Sequence, residues 1–315
     1  MNRFLLLILV LTSLHSCHKD EVIFIPDQNY VISRETMIAS LTDTARFYEI
    51  TVNNSETTTL FIPDVAVFEI PSGALASENG STVSGQVKVL FDDASGHKSD
   101  LLKAPSLLYN DDAIDVNKVF RVRFEKDNKP LVLKQQVQAY IPAKDVQGDF
   151  RLFYSPGDEV STWQQLKSPA DGYHSQKWEI IYKDGMITVT GFKITLSSQG
   201  GWYCIGNFAE NGSASTTVRV SLPSGFNSSN TLVFWLPTGL NTAVRMFGEG
   251  NSSDFGISGL RSGQNSEGKI ITISDFGGDK YYFGIRNAVK VSEDVVTLTP
   301  TQHKLSEIRD LLRSL

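Results

Sequence analysis

Short runs of β-branched and aromatic residues, broken at close intervals by turn formers, limit what this chain can fold into. Arg46-Phe47-Tyr48-Glu49-Ile50-Thr51-Val52 is one such run, and Val119-Phe120-Arg121-Val122-Arg123-Phe124 is another. Thr58, Leu60 and Ile62, then Val83, Val87 and Val89, mark two more. Several alternate with period two, which puts one set of side chains on a buried face of a strand and the other in solvent. Pro71-Ser72-Gly73, Glu78-Asn79-Gly80 and Asp127-Asn128-Lys129-Pro130 supply the turns between them. A second series runs from Val137 and Ile141 through Phe150-Arg151-Leu152-Phe153-Tyr154 and Trp178 to Gly200-Gly201-Trp202.

Asn211-Gly212-Ser213-Ala214-Ser215 is small and polar and reads as a linker. Beyond it lie Val218, Val220 and Leu222, then Leu232-Val233-Phe234-Trp235-Leu236, Lys269-Ile270-Ile271-Thr272-Ile273 and Lys280-Tyr281-Tyr282-Phe283-Gly284-Ile285. This spacing predicts an all-β chain of two β-sandwich-type domains, at residues 45–208 and 216–315, joined by the linker 209–215. A short C-terminal amphipathic helix closes the second. Thr299 is the expected N-cap, Pro300 the first helical residue and Gln302 the capping-box partner. Leu305, Ile308, Leu311, Leu312 and Leu315 form its apolar stripe, which docks on its own domain because a short isolated helix is marginal.

The amino terminus has a different character. Asn2 and Arg3 precede an apolar run from Phe4 to Leu14, followed by His15, Ser16 and Cys17, the layout of a secretory signal peptide. That run is about half of the roughly 20 residues a membrane-spanning helix needs. Leu14-His15-Ser16-Cys17 resembles the lipobox of bacterial lipoproteins, in which the cysteine is alkylated with diacylglycerol and becomes the acylated first residue after cleavage. The resemblance implies a signal peptide over 1–16, lipidation at Cys17, and a tether over 17–44. Two or more acyl chains hold a protein stably on a bilayer, where one does not. Lys19, Asp20 and Glu21 resemble the short surface-export signal of lipoproteins from Bacteroidota-type bacteria. That signal implies an outer-membrane lipoprotein at the cell surface, with the periplasmic face of the same membrane as the alternative.

Val67-Phe68-Glu69-Ile70-Pro71-Ser72-Gly73-Ala74-Leu75, followed by Gly80-Ser81-Thr82-Val83-Ser84-Gly85-Gln86-Val87, resembles the start of a ZU5-like β-domain. Bacteroidota-type lipoproteins of unknown function carry a similar run that ends in a segment like Gly201-Trp202-Tyr203-Cys204. The resemblance spans residues 57–208 and implies a fold; a shared fold does not settle activity. The His-Phe-Ser tripeptide at which some ZU5-containing proteins cleave themselves is absent.

A formal charge of −6 argues against nucleic acid as a partner. The two cysteines are Cys17 and Cys204, so lipidation of the first leaves no internal disulfide and no metal site built on cysteine pairs. Cys204, in an apolar stretch, reads as a buried and inert thiol. The histidines are His15, His18, His97, His174 and His303, and no Gly-x-Ser-x-Gly elbow, phosphate loop or dinucleotide fingerprint occurs.

Asp92-Asp93 with Asp100, and Asn110-Asp111-Asp112 with Asp115 and Asn117, supply oxygen ligands of the kind calcium takes. Their spacing matches no EF-hand loop, and solvated turns are the competing reading. No other cofactor is expected. Among the aromatics Trp163 is the candidate for an exposed sugar-contacting ring, the rest being expected in cores. The reading of the whole is a noncatalytic, lipid-anchored envelope protein acting as an interaction or structural module, held to the membrane by its lipid and facing an unidentified protein or glycan. A glycan-binding surface lipoprotein is the first alternative and a hydrolase assembled in space the second.

Overall fold

A computed structural model describes residues 34–42, 46–53, 55–143, 150–157, 163–166, 173–182, 185–196, 200–208, 216–261, 267–290 and 295–315. Among these the chain builds three sheets stacked in layers. The first runs β1 (Arg46–Val52), β5 (Gly85–Asp93), β7 (Asp112–Lys126), β14 (Gly201–Phe208), β10 (Arg151–Ser155) and β11 (Gln164–Leu166), with β4 (Leu75–Ser77), β6 (Leu108–Tyr109) and β8 (Lys129–Leu133) attached to its side. The second runs β12 (Tyr173–Tyr182), β13 (Gly185–Leu196), β9 (Val137–Pro142), β3 (Ala66–Ile70) and β2 (Thr58–Ile62). The third runs β21 (Val295–Thr297), β15 (Thr216–Ser221), β18 (Asp254–Leu260), β17 (Val244–Gly248), β16 (Thr231–Pro237), β19 (Glu267–Asp275), β20 (Tyr281–Lys290) and β22 (Thr301–His303). The fold is all-β and sandwich-like, with a short C-terminal helix.

Strand alternation decides how the layers stack. On β7, Phe120, Val122 and Phe124 point into a core shared with the second sheet, where they meet Phe68, Ala139, Ile141, Phe192 and Ile194. The opposite face of β7 carries Ile114, Val116 and Val119, and those of β14 and β10 carry Trp202, Cys204 and Phe153. These residues pack against Leu232, Phe234 and Leu236 of β16 and Ile271 and Ile273 of β19. The middle of the first sheet is therefore buried on both faces, which is why β14 reads as a continuous apolar run instead of alternating. The third sheet curls on itself: Val233 and Trp235, on the other face of β16, share a further core with Val218 and Val220 of β15 and Phe255 and Ile257 of β18.

The two halves are also tied by hydrogen bonds. The backbone N–H of Asn241 donates to Asp115 Oδ1 at 2.7 Å, its amide Nδ2 donates to the Val116 carbonyl at 2.7 Å, and its own carbonyl accepts from the Val116 N–H at 2.9 Å. Leu107 N–H donates to the Ala243 carbonyl, and Arg245 N–H to Ser106 Oγ at 3.0 Å. The expected linker, 209–215, lies outside the described residues between the end of β14 and the start of β15.

Two elements depart from expectation. Residues 34–41, read as tether, form helix α1 (Arg34–Leu41), because Met37, Ile38 and Leu41 find buried places in the cluster between the halves. The C-terminal helix, α2 (Leu305–Arg313), starts later than expected. Thr301, Gln302 and His303 pair with Phe283, Tyr282 and Tyr281, and this strand pairing takes residues that local capping signals assign to the helix. Lys304 becomes the N-cap, its N–H donating to the Glu307 carboxylate at 3.1 Å. Ile308 and Leu312 are buried in the same cluster as α1, and Arg309 donates to the Ser40 carbonyl, which joins the two helices.

Candidate functional site

The third sheet carries an open groove of about 870 Å³ on its outer face. Its floor follows one rank of paired residues across four strands: Val295 on β21 pairs with Arg219 on β15, Arg219 with Gly256 on β18, and Gly256 with Phe247 on β17. The neighbouring Val218, Val220, Phe255 and Ile257 point inward, so alternation sends this rank outward. Val295 is 53% exposed and Phe247 is 37% exposed, both high for large apolar groups. The Arg245 guanidinium lies 5.4 Å from the centre of the Phe247 ring and helps set its orientation.

Gly256 leaves a gap in the middle of this rank. A Cβ there would make only ordinary contacts, 3.5 Å to the Val218 carbonyl and 3.6 Å to Arg219 Cγ, so crowding does not demand the glycine. Its absent side chain opens a hollow between a guanidinium and a phenyl ring. Two strand spacings separate Arg219 from Phe247, about 10 Å.

Carboxylates stand around the groove. Glu249 and Asp254 lie beside the ends of β17 and β18, and Asp111 reaches in from the turn between β6 and β7. That turn is held firmly. Asn110 and Asp111 both have positive φ, and Arg261 grips the turn through Nη2 to the Asn110 carbonyl and a two-pronged pair with Asp112. The Asp111 carboxylate rests over Gly259, whose φ of +80° suits glycine and whose Cβ would lie 3.4 Å from that carboxylate.

Cys17, Lys19, Asp20 and Glu21 lie outside the described residues. Trp163 does not present an exposed ring. It is 5% exposed, packed in the cluster between the halves, and donates its indole N–H to the Ser106 carbonyl at 2.8 Å. A large ring gains more from that core than a turn position offers in water, and its polar edge has a partner there.

The acidic residues weighed for calcium are divided among separate tasks. Asp92 pairs with Lys103 at 3.2 Å, Asp93 with Lys118 at 3.7 Å, and Asp100 accepts from the His97 N–H. Asp112 serves Arg261 and Asp115 serves Asn241. Among the described residues no three His, Cys, Asp or Glu side chains converge as metal ligands.

Cys204 is fully buried, and burial first, then the nearby Asp115 charge, push its thiol well above the ordinary range. That removes the thiolate a nucleophile needs. Thr301, His303 and Glu307 form a hydroxyl, imidazole and carboxylate series, at 2.9 Å and 3.4 Å. Thr301 and Glu307 are exposed, so water reaches the hydroxyl freely, and the Glu307 carboxylate is already engaged in capping α2.

No protein-family model matches the chain, and no curated protein matches it. The groove was not legible in the sequence, because its members are spread from Leu108 to Val295 and strand register alone assembles them. The signal available was a glycine-rich strand, Asp254-Phe255-Gly256-Ile257-Ser258-Gly259, with small or polar residues on one face.

Proposed function

We propose that this protein is a noncatalytic envelope module, anchored by lipid on Cys17 and presenting a stiff stack of sheets as an interaction or structural surface. The observation that carries the reading is the order of the amino terminus: a short apolar leader that closes on Leu14-His15-Ser16-Cys17. The second cysteine supports it, since Cys204 is sealed in the core and takes no part in a disulfide. Among the described residues no helix is long and apolar enough to cross a membrane.

The address is the outer membrane, with Lys19, Asp20 and Glu21 favouring the cell surface over the periplasmic face. Cell fractionation tests the anchor: wild type sediments with membranes, and Cys17→Ala is released into the soluble fraction or retains its leader. Protease treatment of intact cells tests the side, with digestion expected and survival until lysis contradicting surface display. A membrane-bound Cys17→Ala protein with its leader removed would overturn the anchor.

A further inference from the structure

We infer that the outer face of β21, β15, β18 and β17 is a carbohydrate-binding groove, with Phe247 as the stacking ring and Gly256 as the hollow that admits a sugar. This goes beyond the envelope reading and does not depend on the anchor.

Five observations converge on that class of ligand. The backbone groups of β15, β18 and β17 along the floor are spent on one another, so a peptide cannot add as a strand between them, and recognition over the floor inside the β21 edge falls to side chains. The side chains present are an exposed phenyl ring and charged groups with nothing to hold. Among the described residues Arg219, Glu249, Asp254 and Asp111 have no side-chain hydrogen bond or ion pair, although Arg219 and Asp254 belong to adjacent strands. Carboxylates accept hydroxyl hydrogen bonds, a guanidinium donates to hydroxyl and ring oxygens, and a phenyl face receives the C–H face of a pyranose.

Charge narrows the choice further. The three carboxylates outnumber Arg219 and the Arg245 guanidinium beside Phe247, a balance that disfavours polyanions such as nucleic acid or phosphate-rich chains. Arg219 in the centre of the floor sets one like charge against a cationic ligand that the carboxylates around it attract. A neutral polyhydroxyl chain uses both kinds of group without meeting like charge. The volume fits as well, since about 870 Å³ lies within the roughly 300–1,000 Å³ of small-molecule sites and suits a short oligosaccharide. The fixed Asp111 turn at one end makes part of the site rigid before any ligand arrives, which limits the ordering cost of binding.

The test is a carbohydrate microarray of neutral, acidic and amino-sugar oligosaccharides probed with the mature chain, followed by titration calorimetry on whatever binds. Wild type is expected to retain neutral oligosaccharides. Phe247→Ala should weaken binding by about tenfold or more, the equivalent of one lost stacking contact. Gly256→Val fills the hollow with a side chain that suits a strand and should abolish binding while leaving the melting temperature unchanged or raised. Phe47→Ala, which removes an exposed ring on β1 outside this groove, should bind as wild type does. Silence of the wild type across the array overturns the inference, and so does binding confined to acidic probes. Binding that Phe247→Ala and Gly256→Val leave intact overturns it too.

Discussion

Asp275 shows how one side chain couples this fold to pH. Burial raises its carboxyl above the ordinary range, the Gly277 N–H that donates to Oδ1 at 2.7 Å opposes the rise, and the Asp279 charge adds to it. The folded state therefore keeps this proton to a higher pH than the unfolded chain does. Its contribution to stability is present below the unfolded carboxyl's value and is lost as pH rises through the folded one. Asp275→Asn keeps an acceptor for Gly277 and removes the charge. Urea unfolding over a pH series should show the variant as stable as wild type in acid, or slightly less, and gaining on it as pH climbs to neutrality. A deficit in the variant that widens towards neutrality would contradict this. The position was invisible in the sequence, where nothing in Asp275-Phe276-Gly277-Gly278-Asp279 marks a buried carboxylate. Trp163 misled in the opposite sense, because its turn-like neighbours hid a buried site with a partner for the indole at Ser106.

Helix α1 was equally hidden, for reasons of length. Eight residues carry too few apolar positions to show a stripe, and Met37, Ile38 and Leu41 gain meaning against distant residues such as Leu101, Leu102, Ile308 and Leu312. The same logic makes α1 costly to damage. Met37→Ala leaves a void in a cluster that both halves share, and chemical denaturation should show a loss of about 2–4 kcal/mol. A loss within about 0.5 kcal/mol, the range of an ordinary surface change, would mean that α1 does not pack as described. Strands were read more easily. Alternation in β5 and β9 and unbroken apolar runs in β14 and β16 are visible in the residues themselves, and they separate half-buried strands from those buried on both faces. The start of α2 was not, because Thr301, Gln302 and His303 answer to β20, and that pairing is not local in sequence.

At the scale of the whole molecule, a shared cluster and the Asn241 bonds join the two β regions. Calorimetry should record a single unfolding transition, and Asn241→Ala should shift all of it downward by about 1 kcal/mol of stability, the cost of leaving the Val116 carbonyl without its amide donor while the two backbone bonds of residue 241 remain. Two separate transitions, one indifferent to Asn241, would contradict that. A stiff body of this kind suits a protein that holds a groove of fixed shape away from a membrane. The proposed lipid on Cys17 is what would hold it there. Intact-mass spectrometry of the protein extracted from membranes tests it most directly: the account predicts a chain that begins at Cys17 and carries diacylglycerol on its sulfur. A free thiol at Cys17, or a mass that still includes residues 1–16, would contradict it.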